Sequence, residues 1–168
     1  MTQLKNATRL LGWLVGGSVL VYGCGGSGSG AAPKPPVPPA VSVNALMVAM
    51  VDHNGHVLWD AEKEGKAPKN DSDWQEIEHA AIQLAGSGTL IALGGTGPAD
   101  AGWANLPDWK KYSQTLTDAA VVARAAAQAK NFEALVKANG QLVDSCEQCH
   151  KAFKPNLPTE GILHPHQK

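Results

Sequence analysis

Cys146-Glu147-Gln148-Cys149-His150 places the tightest constraint on how this 168-residue chain can fold. In a C-x-x-C-H sequence two sulfurs stand three residues apart and an imidazole follows at once. On a helix the two cysteines share one face, so both can form thioethers to one porphyrin edge while the adjacent histidine turns its ring to the iron. The pattern is that of a covalent attachment site for haem c, with Cys146 and Cys149 as anchors and His150 as proximal ligand. Two other chemistries use C-x-x-C. Zinc needs four ligands, and no second cysteine pair accompanies this one. A thiol–disulfide couple belongs near a βαβ pattern, whereas the residues around Cys146 read as helix. Haem is the reading that uses every residue of the motif.

The remaining cysteine, Cys24, lies at the other end of the chain. Lys5 and Arg9 precede an apolar run from Leu10 to Tyr22, which is the charged and then hydrophobic layout of an export signal. The run is broken by Gly12, Gly16 and Gly17 and is shorter than the about 20 apolar residues that a spanning helix needs. It closes as Val21-Tyr22-Gly23-Cys24, which resembles the lipobox of bacterial lipoproteins, with Tyr22 where a small residue is usual. That resemblance implies cleavage of a signal peptide, residues 1–23, and acylation of Cys24, since two or more acyl chains anchor a protein stably. Gly25 next to the cysteine is similar to lipoproteins sent to an outer membrane. The expected location is the periplasmic side of a bacterial membrane.

Residues 25–32 are nearly all Gly, Ser and Ala, and Pro33, Pro35, Pro36, Pro38 and Pro39 follow. Neither half can bury a core. The first behaves as flexible coil and the second as a stiffer polyproline II spacer, so residues 24–42 read as an anchor plus tether. A folded domain is expected over 43–157, and a flexible tail over 158–168 that holds His164 and His166. A net charge of −1 with 17% charged residues gives no basic field for phosphates, which excludes nucleic acid as a partner. The chain offers no phosphate loop, nucleophile–base pair or carboxylate pair, so no catalysis is expected of it.

Within the folded part the apolar spacing is helical. Ser72 with Gln75 matches a capping box, and Trp74, Ile77, Ala81, Leu84 and Ala85 follow, predicting a helix from about Asp73 to Leu84 that the glycines from Gly86 onward end or fray. Residues 94–107 read as a Gly- and Pro-rich loop. Pro107 opens a second helix with the stripe Trp109, Tyr112, Leu116, Ala119, Ala120, Ala123 and Ala127. Asn131 caps a third, whose stripe is Phe132, Leu135, Val136, Leu142, Val143, Cys146, Cys149, His150 and Phe153 before Pro155 stops it. Residues 43–60 read two ways, because Asn54-Gly55 between apolar runs is also a hairpin signal.

A C-x-x-C-H at the end of a helical series, with Leu46-Met47, Val57-Leu58-Trp59-Asp60, Trp74 through Leu84, Asp108-Trp109 and Cys146 through Phe153, resembles the class II cytochromes c, the cytochrome c′ group. The resemblance implies an all-α fold: an antiparallel four-helix bundle with one covalent haem c on its C-terminal helix. It implies a helix over 43–60, with a kink or early break near Asn54-Gly55. The sixth iron position in this group is empty or filled by a methionine of the first helix, and Met47 stands at the matching place. Met50 is the internal competitor, and His53, His56 and His79 are lesser candidates better suited to the surface. Lys154 falls where relatives carry a cation near the haem propionates, with Lys151 beside it. Trp59, Trp74 and Trp109 are assigned to the core. The implied function is a tethered carrier of single electrons between periplasmic or membrane redox proteins, with a gas-binding protein or a haem subunit of a larger complex as alternatives. Some relatives pair as homodimers.

Overall fold

The structure, a computed structural model, describes residues 38–154. The signal peptide, Cys24, the tether up to residue 37, Pro155 and the tail with His164 and His166 lie outside the described residues.

Four long helices and one short one account for the fold, and no strand occurs among the described residues. Helix α1 starts at the cap Ser42, whose side chain accepts the Ala45 amide at 3.1 Å. It is α-helical over Val43–Leu46, π-helical over Met47–Asp52 and α-helical again over His53–Asp60. No break occurs at Asn54-Gly55. Both residues are buried inside the helix: Asn54 Nδ2 donates to the Met50 carbonyl at 2.7 Å, and a Cβ at Gly55 would lie 2.9 Å from the Trp59 ring. The pair that imitates a hairpin turn therefore serves a helix, and the irregularity lies before it, in the wide π turn.

Helix α2 spans Asp71–Ala92, and its cap is Asn70, which accepts the Asp73 amide at 3.1 Å, instead of the expected Ser72. It runs through Gly86 and Gly88 because Ile77, Ala80, Ala81, Leu84, Ser87, Gly88 and Ile91 form one buried stripe. Gly94, with φ of +83°, then turns the chain in a conformation that suits glycine. The predicted loop that follows contains a short helix α3, Asp100–Ala104. Helix α4 spans Pro107–Gln128 with proline in its first turn. Helix α5, Phe132–Phe153, is capped by Asn131, which accepts the Ala134 amide at 3.0 Å.

Helices α1, α2, α4 and α5 make the antiparallel bundle. Trp109 at the start of α4 donates Nε1 to the Ile91 carbonyl at the end of α2 at 2.8 Å, while Gln128 at the far end of α4 donates to Glu78 near the start of α2 at 2.7 Å. Five of the eight buried residues of α4 are alanine, and Gly88 of α2 brings the backbones together against Ser113 and Thr117. Asn139 of α5, 2% exposed, donates Nδ2 to the Leu58 carbonyl at 3.0 Å and to Glu62 at 2.6 Å, which pins the end of α1. The buried stripe of α5 is Leu135, Ala138, Asn139, Leu142 and Ser145; Phe132, Val136 and Val143, expected in it, stand at the surface. Polar Asn139 and Ser145 are buried because their side chains satisfy backbone carbonyls, which apolar periodicity alone does not reveal. Trp109 is buried, Trp74 packs partly buried against the core, and Trp59 is half-buried.

Candidate functional site

The bundle closes around a cavity of about 340 Å³ walled by α1, the end of α2, α3, the first half of α4 and the last two turns of α5. Helix α5 supplies Cys146, Cys149, His150, Phe153 and Lys154, and α1 supplies Met47. All five residues that the sequence singles out for haem thus border one space. The α1 wall is two adjacent rows with a spacing of four, Val43, Met47 and Val51 beside Asn44, Val48 and Asp52, with Trp59 further on. Such a row drifts by about 40° per step on an α-helix. The π segment winds less per residue and turns the row back, so that α1 faces the cavity along its length.

The competing ligands are elsewhere. Met50 packs against the core and does not border the cavity. His53 and His56 line a different, more polar hollow between the end of α1 and the start of α2, and His79 is exposed. Lys151 is exposed and pairs with Glu147 at 2.9 Å.

Electrostatics in the cavity favour neutral donors. Cys146 and Cys149 are free thiols, half-buried on the same face of α5. Burial pushes the Cys146 thiol up, and burial with the neighbouring Cys146 pushes Cys149 to about 11. His150 is moved the other way, below its ordinary value, by burial and then by the Lys154 charge. At neutral pH its imidazole is uncharged, the form that ligates a metal. Among the described residues no group of three or more His, Cys, Asp or Glu could hold a metal ion by itself. Zinc therefore lacks a ligand set here, and a thiol–disulfide couple lacks its sheet. An apolar space flanked by two unpaired thiols and one neutral imidazole fits a large flat group that brings its own iron.

Sequence reasoning missed the aromatic end wall. Trp103 on α3 stacks on Trp109 with centroids 5.0 Å apart, and Phe153 meets Trp109 edge-on at 4.9 Å and Trp103 at 5.9 Å. Lys154 extends its Nζ over the Trp103 ring, 5.6 Å from the centroid. Asp100, 4% exposed, also borders the cavity and was hidden in what reads as an unstructured loop. The one signal for either residue was an acid and a tryptophan inside a segment otherwise built of small residues.

The profile of the family described as Cytochrome C′ matches residues 44–154, from the second residue of α1 to the residue after α5. The chain belongs to the cytochrome c′ family. This family carries covalent haem c, one group held through two cysteines, and Cys146 and Cys149 are the cysteines that face the cavity. Comparison with curated proteins and with solved structures gives no significant match. The chain is therefore a c-type haem cytochrome with the helical bundle of its family.

Proposed function

We propose that this cytochrome is a carrier of single electrons, tethered by lipid at Cys24 to the periplasmic side of a bacterial membrane, with His150 and Met47 as the residues that would ligate its iron. The supporting observation is that Met47, and neither Met50 nor any histidine of α1, borders the same cavity as the C-x-x-C-H motif. Haem bound there supplies a one-electron Fe(III)/Fe(II) couple, and a thioether as the second axial ligand raises its potential.

The chain's own residues account for the rest of the function. Cys146 and Cys149 fix the orientation of the group, and neutral His150 binds without first losing a proton. Apolar walls from Val51, Ile91, Leu116 and Phe153 keep water from the interior. Lys154 stays at the rim, where its charge meets a propionate or an acidic face of a redox partner. The tether of residues 24–42 gives the bundle reach from the membrane surface. Family members are typically periplasmic, and among the described residues no helix is long and apolar enough to cross a membrane.

Visible absorption of the haem-loaded protein in both oxidation states tests this reading. A low-spin ferrous spectrum that carbon monoxide alters only slowly is expected, and Met47→Ala should convert it to high-spin iron whereas Met50→Ala should not. High-spin iron in the unaltered protein, with ready binding of carbon monoxide, would overturn the carrier and leave the gas-binding alternative.

A further inference from the structure

Helix α1 is gripped at both ends by buried polar side chains and is irregular between them. At its C-terminal end the grip is Asn139 on the Leu58 carbonyl. At its N-terminal end it comes from the segment 94–100, which carries no proposed ligand. Asp100 directs one oxygen, Oδ2, at two backbone amides, Val43 at 2.8 Å and Gly97 at 2.8 Å. Thr96 adds a backbone bond from its amide to the Val41 carbonyl at 3.1 Å. Gly95 lies so close that a Cβ there would stand 2.7 Å from both the Val41 carbonyl oxygen and the Val43 nitrogen. The loop and the start of α1 thus meet backbone to backbone, with a buried carboxylate between them.

One carboxylate oxygen accepts from both amides, and removing it leaves the buried Val43 amide and the part-buried Gly97 amide without that acceptor. Val43 is one helical turn before Met47. Met47 is the first residue of the π segment, which separates it from the end of α1 held by Asn139. The nearer grip on Met47 is therefore the N-terminal one, a turn away at Val43.

We propose that Asp100 is a positioning residue for Met47: its carboxylate holds the first turn of α1 against the 94–100 loop and so keeps the methionine in the haem cavity. The proposal rests on the reading of Met47 as sixth ligand. It does not require a negative charge near the iron, only an acceptor at the position of Oδ2, so asparagine can replace aspartate but alanine cannot.

The experiment compares haem-loaded wild type, Met47→Ala, Asp100→Ala and Asp100→Asn by spin state and by the rate at which the ferrous form binds carbon monoxide. Loosening the grip raises the fraction of time the methionine is withdrawn, and the binding rate follows that fraction. Asp100→Ala is expected to bind about tenfold faster than wild type, and Asp100→Asn within about twofold of it. If Asp100→Ala matches wild type while Met47→Ala binds fast, the positioning role is wrong and Met47 ligation stands. Alanine and asparagine variants that both bind fast would also overturn it, since charge and not the acceptor would then matter. An unchanged Met47→Ala spectrum removes the ligand reading and this proposal with it. Should Asp100→Ala not fold, amide exchange in the wild type decides: the Val43 N–H is expected to be protected like core amides, and open-chain exchange there refutes the grip.

Discussion

At the residue scale, the five residues that the sequence names for haem all border one cavity, because haem attachment is a local pattern and its chemistry is written in residue types. Cys146, Cys149 and His150 are three letters of one five-residue motif, and the helix that carries them brings all three to the cavity. The raised thiols yield a prediction with a definite sign. In chain produced without haem, a thiol with its pKa at about 11 is almost wholly protonated at pH 8, so Cys149 should react with iodoacetamide far more slowly than a free thiol of ordinary value 9.0. Its rate should keep rising with pH beyond 10, whereas the same cysteine in denaturant levels off about two units earlier. Because the folded value is raised, the unfolded chain ionises first, and stability should fall as pH rises through 9.0 toward 11. Rates followed by mass spectrometry of the Cys149 peptide check this, and equal rates in the folded and unfolded chain would show the thiol to be solvated. Asp100 and Trp103 escaped notice for the opposite reason. Their roles depend on partners 57 residues away at Val43 and 50 residues away at Phe153, and no local pattern encodes such contacts.

At the scale of elements, apolar periodicity found the long helices α2, α4 and α5 but placed their ends and faces less well, and α1 came from the resemblance. The expected stop at Gly86 assumed that glycine weakens a helix, which is true of its propensity and false here of its packing. Gly86 and Gly88 differ in what surrounds them. A Cβ at Gly86 meets nothing within 4 Å, whereas at Gly88 it would strike Thr117 Oγ1 and lie 2.7 Å from the Ser113 carbonyl oxygen. Gly86→Ala should therefore stabilise the protein by about 0.5–1 kcal/mol through helix propensity alone. Gly88→Ala gains the same propensity but forces α2 off α4, and overpacking of this kind costs about 1–3 kcal/mol, so the net sign is destabilising. Denaturant midpoints of the two variants check the pair, and equal shifts would mean that α2 and α4 are not in close contact at this crossing. Residues 43–60 show the same limit from another side. Asn54-Gly55 carries a turn signal by composition, yet Asn54 is committed to the Met50 carbonyl and Gly55 to the Trp59 ring, both within the helix. Those are contacts of α1 with itself at a spacing of four residues, which composition does not show.

For the molecule as a whole, the cofactor is expected to be part of the core and not a passenger on a finished fold. The second half of α4 buries only alanines, and the larger residues Trp109, Leu116, Ile91, Val51 and Phe153 line a space of about 340 Å³. An apolar void left in a packed interior costs about 24 cal/mol per Å³, and water entering so apolar a space finds few partners. A cavity of this size then costs several kcal/mol, against a total native stability of about 5–15 kcal/mol for a domain. The chain without haem should accordingly be marginal. The double variant Cys146→Ala/Cys149→Ala, which cannot form either thioether, prepared free of haem, is expected to unfold at least about 20 °C below the haem-bearing protein, on a scale of roughly 4 °C per kcal/mol for a domain near 100 residues. Helical circular dichroism during heating measures both midpoints. Midpoints within a few degrees of each other would mean that α1 and α5 close over the space by themselves, and that the bundle owes its stability to the α2–α4 and α4–α5 contacts alone.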